Sequence, residues 1–347
     1  MTTANTDHIL EVNDLRVSFH TYAGEVQAVR GVRFDLQRGE TLAIVGESGC
    51  GKSVTAKSIM GLVKAPSGEV KKGSSILYNG TDILGYNKKQ WQAYKGGECA
   101  IVFQDALASL NPTMRVGKQI MENLQGHRHM SKAEAEQEAI RMLKEVGIPD
   151  PQERFRQYPH EFSGGMRQRV MIAIAFACNP KILICDEPTT SLDVTIQGQI
   201  LNKIKEMQRK NNTSVIMITH DLGVVANIAD RIAVMYCGVI VEHGSCRDIF
   251  YRSRHPYTWA LINAVPRLDL EGKKKLVSIP GTPPDLLNPP VGCPFCTRCS
   301  YCMDICREAM PESTDFGEGH SASCWLHHPM APHVDMPDYK AKGESHE

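Results

Sequence analysis

The stretch Gly46-Glu47-Ser48-Gly49-Cys50-Gly51-Lys52-Ser53 fits G-x-x-x-x-G-K-[ST], the loop that wraps the phosphates of a nucleotide. It constrains the fold strongly, because the pattern works only where a strand runs into it and a helix leaves it. Both flanks comply. Thr41-Leu42-Ala43-Ile44-Val45 is an apolar, β-prone run with the character of a buried strand, and Ser53 to Leu62 has few helix breakers. Gly46, Gly49 and Gly51 let the backbone curl until successive N–H groups face an anion, and the following helix adds its positive dipole end. In such a loop Lys52 neutralises the β- and γ-phosphates, and the Ser53 hydroxyl ligates magnesium. A chance glycine turn would match the letters but not both flanks.

Length and charge bound the rest. A chain of 347 residues, 42% hydrophobic and 22% charged, has the make-up of a soluble globular protein of one domain with an appendage, or of two domains. Lys+Arg and Asp+Glu both number 39, which argues against a protein built mainly to coat nucleic acid. The N-terminus, Met1-Thr2-Thr3-Ala4-Asn5-Thr6-Asp7, has neither the basic region nor the apolar core of a secretory signal. The longest apolar run, Val170 to Cys178, is too short to span a bilayer. Any membrane association is therefore expected to go through a partner.

Further along, residues 9–45 carry β-rich runs with turns at Gly24 and Arg38-Gly39. Phe19 or Tyr22 could stack on an adenine face, or either could be core or surface. Ala100-Ile101-Val102-Phe103 reads as a short strand ending at Gln104, a residue able to reach Mg²⁺ or the attacking water. Residues 116–146 read as helical, with Ser131 and Glu134 forming a capping box. Ser163 caps another helix whose free N–H groups could bind phosphate, and Gly164 and Gly165 allow close approach. Lys181-Ile182-Leu183-Ile184-Cys185 is an apolar strand running into Asp186-Glu187. Asp186 is placed to hold Mg²⁺ through water, and Glu187 to polarise the water that attacks the γ-phosphate. Ser191-Leu192-Asp193 follows, and then a buried strand, Val215 to Thr219, ends at His220 where a γ-phosphate sensor would stand. A lone histidine there would more often be structural.

Together these segments resemble the nucleotide-binding subunit of an ABC transporter over about residues 9–250. In that family's terms the Walker A motif is Gly46–Ser53, the Q-loop Gln104, and the signature Ser163-Gly164-Gly165-Met166-Arg167-Gln168. The Walker B pair is Asp186-Glu187, the D-loop Ser191-Leu192-Asp193, and the H-loop His220. The resemblance implies an α/β fold, an ABC-type P-loop ATPase whose RecA-like core carries antiparallel β and α-helical subdomains. It favours Phe19 as the adenine-stacking aromatic. It implies nucleotide contacts from Gly46 through Ser53 and Val54, and from Gln104, Ser163, Gly164, Gly165, Gln168, Asp186 and Asp193. Mg²⁺ would be held by Ser53, Gln104 and Asp186. Two such domains would sandwich two ATP molecules head to tail, with Ser163 and Gly165 acting on the partner's nucleotide. Glu187 would be the catalytic base, with His220 and Gln104 aligning water and γ-phosphate.

His255-Pro256-Tyr257-Thr258-Trp259-Ala260-Leu261 and Ile279-Pro280-Gly281-Thr282-Pro283-Pro284 resemble the extension of dipeptide/oligopeptide importers, a group that also contains nickel and glutathione importers. The expected division is an ATPase domain over 1–250, an extension with a cysteine cluster over 251–330, and a disordered polar tail over 331–347. Twelve cysteines occur in the chain. Cys50, Cys99, Cys178, Cys185, Cys237 and Cys246 are scattered and read as reduced thiols, several of them in apolar runs, whereas the other six fall between Cys293 and Cys324 and point to a metal. Cys296, Cys299, Cys302 and Cys306 follow C-x₂-C-x₂-C-x₃-C, an iron–sulfur spacing, although Arg307 stands where ferredoxins place a proline. The importer resemblance implies a different quartet, Cys293, Cys299, Cys306 and Cys324, supported by the surrounding Arg298, His320 and Trp325. Four thiolates suit a [4Fe–4S] cluster or Zn²⁺, and the resemblance favours the cluster.

The resemblance thus implies an ATPase that powers peptide import from the cytoplasmic face of the cell membrane. Its partners would be two transmembrane permease subunits, a paralogous or identical ATPase subunit and, indirectly, an extracytoplasmic peptide-binding protein, with no nucleic acid. A soluble ABC ATPase working on nucleic acid or ribosomes would usually carry two ATPase halves or a long coiled-coil insertion, and neither is visible. A redox-responsive binding module that does not hydrolyse ATP would have no need of Glu187.

Overall fold

The computed structural model describes residues 7–190, 192–264 and 279–334. Ser191 of the D-loop segment, and the expected disordered tail from residue 335 onward, lie outside the described residues. The chain opens with a long antiparallel pair, β1 (His8–Thr21) and β2 (Gly24–Gln37), followed by β3 (Thr41–Val45) and α1 (Lys52–Ile59). Strands β4 (Gly68–Val70), β5 (Ser75–Tyr78) and β6 (Thr81–Asp82) complete a five-stranded antiparallel sheet around β1. Next come α2 (Lys88–Ala93), β7 (Cys99–Val102), and five helices: α3 (Ala106–Ser109), α4 (Val116–Arg128), α5 (Lys132–Glu145), α6 (Pro151–Arg154) and α7 (Gly164–Phe176). Then follow β8 (Ile182–Asp186), α8 (Val194–Asn211), β9 (Ser214–Thr219), α9 (Leu222–Val225), β10 (Arg231–Tyr236) and β11 (Val239–Ser245). The C-terminal part contributes α10 (Cys246–Tyr251), α11 (Pro256–Asn263), α12 (Ile305–Glu308), β12 (Thr314–Asp315) and β13 (Ser321–Ala322).

The continuous apolar runs of the sequence become the centre of an eight-stranded sheet, ordered β12-β13-β11-β10-β3-β9-β8-β7. Its five strands from β10 to β7 are mutually parallel. Each strand sends alternate residues to opposite faces. Ala43, Val45, Leu183, Cys185, Val215 and Met217 join the core shared with α4, α5 and α7. Leu42, Ile44, Ile182, Ile184, Ile216 and Ile218 join the core shared with β1 and β2. Both faces are covered, which is why these strands read as unbroken hydrophobic runs rather than alternating ones. At roughly 1.5–3 kcal/mol for each large aliphatic side chain buried, these two faces hold the sheet and leave its strand ends free for polar chemistry.

The helical stretch expected over 116–146 is two helices. His129, at φ 53°, ends α4 in the left-handed region, and Ser131 restarts the chain as the cap of α5, its capping box with Glu134 present. The C-terminal part does not stand apart from the nucleotide-binding part. Strand β13 pairs with β11, Glu242 opposite Ala322 and His243 opposite Ser321, so it extends the main sheet. Cys293, Phe295, Cys296 and Cys306 belong to the same core as Tyr236 and Ile249. Beneath this junction Glu242, 1% exposed, accepts hydrogen bonds from the Arg254 N–H (2.6 Å), the His255 N–H (3.0 Å) and His320 Nε2 (2.9 Å).

Candidate active site

Because β3, β7, β8 and β9 are parallel, their C-terminal ends lie along one edge, where an open α/β sheet gathers its ligand-binding groups. The glycine loop leaves β3, Gln104 follows β7, Asp186-Glu187 ends β8, and His220 follows β9. The loop turns tightly over neighbouring backbone. A Cβ on Gly46 would stand 2.0 Å from the Met235 carbonyl oxygen, and one on Gly51 would stand 2.4 Å from that of Ala28. Only glycine fits either position. Gly51 also forms the N-terminal boundary of α1, so the free N–H groups of that helix open toward the loop.

Within the loop Ser48 and Gly49 are exposed, Val54 is half-buried, and Lys52 is buried at 4% exposure. Lys52 Nζ donates to the loop's own carbonyls, Gly46 at 2.8 Å and Glu47 at 2.9 Å. The Ser53 hydroxyl donates to Asp186 Oδ1 at 2.8 Å. Burial raises the Asp186 carboxyl above its ordinary range, the neighbouring Glu187 charge adds to this, and the Ser53 hydrogen bond opposes it.

Glu187 occupies the left-handed region at φ 48°, its N–H bonded to the Ile218 carbonyl. Its side chain is 11% exposed and gathers three partners: Gln104 Nε2 at 3.2 Å, Thr190 Oγ1 at 3.0 Å and His220 Nδ1 at 3.3 Å. The structure therefore brings Lys52, Ser53, Gln104, Asp186, Glu187 and His220 to one edge. Thr190 escaped the sequence reading, although it follows Glu187 by only three residues.

Other expected residues stand elsewhere. Ser163 caps α7 by accepting from the Met166 N–H, and its neighbours Gly164 and Gly165 meet Leu192 and Ile196 rather than the glycine loop. Asp193 uses its carboxylate to cap α8, accepting from the Ile196 N–H. Gln168 is 3% exposed with its Nε2 unpartnered. Helical spacing puts it in line with Met171, Ile172 and Ala175, all buried, so it faces the core. Phe19 is half-buried on β1 against Gly68, and Tyr22 is fully exposed.

Two groups from beyond residue 250 also reach the loop. The Tyr257 hydroxyl of α11 accepts the Glu47 N–H at 2.9 Å. The Arg298 guanidinium pairs with the Glu47 carboxylate, at 2.5 and 3.0 Å. A cavity of about 310 Å³ opens between the loop, Val26, Tyr236 and the segment Pro283–Leu286. A larger one, about 1060 Å³ and rich in lysine, lies between Val63–Lys72 and Leu84–Lys95 and includes none of these residues.

All twelve cysteines carry free thiols. Burial pushes the Cys293 thiol up to about 12, with Cys324, Cys306 and Cys299 adding to it, and pushes Cys324 up to about 12 with Cys299 and Cys306 adding. Cys299 rises to about 11 by burial, assisted by Cys302, Cys306 and Cys296. A set of sulfur donors close enough to sense one another suits a thiophilic metal in kind. As placed, no three His, Cys, Asp or Glu side chains among the described residues converge closely enough to hold a metal ion.

The ABC transporter family profile matches residues 29–190, and that of the oligopeptide/dipeptide transporter C-terminal region matches residues 241–306. The chain is 56% identical over 335 residues to an oligopeptide transport ATP-binding protein, OppD, of Bacillus subtilis, covering 96% of this chain and 93% of that protein. It is 55% identical over 328 residues to a dipeptide transport ATP-binding protein, DppD, of the same organism, covering 94% and 97%. Among solved structures, the ATP-binding cassette MJ0796, a dimer bound to ADP and phosphate, superposes with a TM-score of 0.61 at 24% identity over 69% of this chain and 99% of that one. The cbiO1 protein of Clostridium perfringens, part of an ABC transporter complex, superposes with a TM-score of 0.60 at 28% identity, covering 70% and 91%.

Proposed function

The chain belongs to the ABC transporter family, in its oligopeptide/dipeptide group, as an ATP-hydrolysing subunit that powers peptide import, and from that premise we propose which residues carry the reaction. The observation that supports the assignment best is Glu187, a largely buried carboxylate ringed by Gln104, Thr190 and His220 beside the Ser53–Asp186 pair. Lys52 leaves the two loop carbonyls and turns onto the β- and γ-phosphates. Glu187 takes the proton of the attacking water as that oxygen bonds to the γ-phosphorus, and the β–γ bridging oxygen departs with ADP. His220 and Gln104 hold the water in line. Phe19 supplies a stacking face for adenine.

Ser53, Asp186 and Gln104 are the residues that would hold Mg²⁺. The raised Asp186 carboxyl, buried against the Glu187 charge, suits a hard divalent cation. The ion would supply positive charge to the transferring phosphoryl group. Ser163 and Gly165 lie away from their own chain's loop and serve the nucleotide of a second ATPase subunit, paralogous or identical, in a head-to-tail dimer. No described helix is long and apolar enough to cross a membrane. Attachment at the cytoplasmic face then runs through two permease subunits, with a binding protein delivering peptide on the other side.

Vesicles carrying this chain with its permease subunits, supplied with binding protein and labelled peptide outside and ATP and Mg²⁺ on the ATPase side, are expected to accumulate peptide. Chelating Mg²⁺ should stop uptake. Transport of nickel or glutathione in place of peptide would move the chain to those neighbouring groups.

We further propose that Cys293, Cys299, Cys306 and Cys324 hold a [4Fe–4S] cluster, with Zn²⁺ as the alternative. The support is that Cys299 and Cys306 raise the proton affinity of both Cys293 and Cys324, in a proline- and cysteine-rich segment with little helix or strand of its own. Protein purified without oxygen is expected to contain about four irons and four sulfides per chain, with a broad visible absorbance that bleaches on reduction. One zinc without sulfide would select the alternative, and no metal would remove both.

A further inference from the structure

One side chain outside every nucleotide motif reaches the phosphate loop from far along the chain. Arg298 lies in the turn Cys296–Arg298, and only 3% of its side chain is exposed. Its Nη1 and Nη2 donate to the two carboxylate oxygens of Glu47 at 2.5 and 3.0 Å, the two-pronged geometry that a guanidinium offers and an ammonium cannot. The fork is itself fixed. Nε donates to the Pro280 carbonyl at 2.8 Å, Nη2 to that of Ile279 at 3.2 Å, and Nη1 to the Tyr236 hydroxyl at 3.1 Å. Tyr257 meanwhile holds the Glu47 N–H.

Two physical consequences follow. Glu47 puts a carboxylate on a loop whose purpose is to receive several negative phosphate oxygens. Left unpaired, that charge would oppose the ligand. The loop also contains Gly46, Gly49 and Gly51, so its N–H groups point in one direction only if something outside it limits its freedom.

We propose that Arg298 is a positioning residue of the ATP site: it neutralises Glu47 and holds the phosphate loop in its binding shape, so the cysteine-rich segment completes a site that the motifs alone leave with an opposing charge. This inference rests on the reading of Gly46–Ser53 as the loop that holds ATP.

The test is the ATP dissociation constant of the full chain, purified with whatever metal it holds. Arg298→Ala is expected to weaken binding about 10-fold, which is about 1.4 kcal/mol. Arg298→Lys, which keeps the charge but not the fork, should fall between. Adding Glu47→Gln to Arg298→Ala should recover at least about threefold of that loss, because the stranded carboxylate is gone although the loop stays untethered. Wild-type affinity in Arg298→Ala would overturn the proposal. So would weakened binding without recovery in the double variant, since that is the result of merely loosening the segment around Ile279 and Pro280. If thermal unfolding shows that Arg298→Ala does not fold, Arg298→Lys with and without Glu47→Gln decides by the same comparison. A wild-type chain that binds no ATP would overturn the phosphate-loop reading and the inference together.

Discussion

Glu187→Gln is expected to lower ATP turnover by at least about 10²-fold while leaving ATP affinity within about twofold. Glutamine has nearly the same shape, its oxygen can still accept from Thr190 and its amide N–H can donate to a neutral His220 Nδ1, so the pocket that surrounds Glu187 at 3.0 to 3.3 Å is preserved. It cannot take a proton from water. In the proposed head-to-tail dimer hydrolysis would separate the two subunits, so the variant should also accumulate as an ATP-bound dimer, visible as an earlier-eluting species in size-exclusion chromatography with Mg²⁺-ATP. Turnover near that of the wild type would remove Glu187 from the role of base.

Lys52→Ala should act at the preceding step. Lys52 is the buried cation of the loop, and its ammonium donates to the Gly46 and Glu47 carbonyls. Exchanging those two neutral acceptors for phosphate oxygens is a net gain, and alanine forfeits it. ATP affinity is expected to fall by roughly 10²-fold, the scale of losing one partner of a buried charged contact. Titration with a fluorescent ATP analogue reads this directly. Unaltered affinity would contradict the assignment of the loop. The two variants separate cleanly, because one binds without turning over and the other fails to bind.

The parallel sheet edge was legible in the sequence because its signals are local. A glycine loop between an apolar strand and a helix, and acids or a histidine at the ends of apolar strands, each announce themselves within a dozen residues. The capping box of Ser131 and Glu134 was legible for the same reason. Two kinds of feature were not. Arg298 and Tyr257 reach Glu47 across more than 200 residues, and a lone arginine among cysteines carries no mark of its target. Strand β13 is two residues long, too short for any periodicity, yet it decides where the C-terminal part attaches.

The Glu242 carboxylate bears on how such a chain can be cut or recombined. Its three donors, Arg254, His255 and His320, all come from beyond residue 250, while Glu242 itself belongs to a strand of the nucleotide-binding sheet. Trimming the chain to its first 250 residues would leave a buried anion without a single one of those partners and expose the edge of β11 to strangers. The C-terminal part is therefore not an accessory that can be exchanged like a cassette between relatives. Its contacts tie it to the nucleotide-binding sheet, and recombination within this group should succeed only where the crossover keeps both halves of that contact from the same parent.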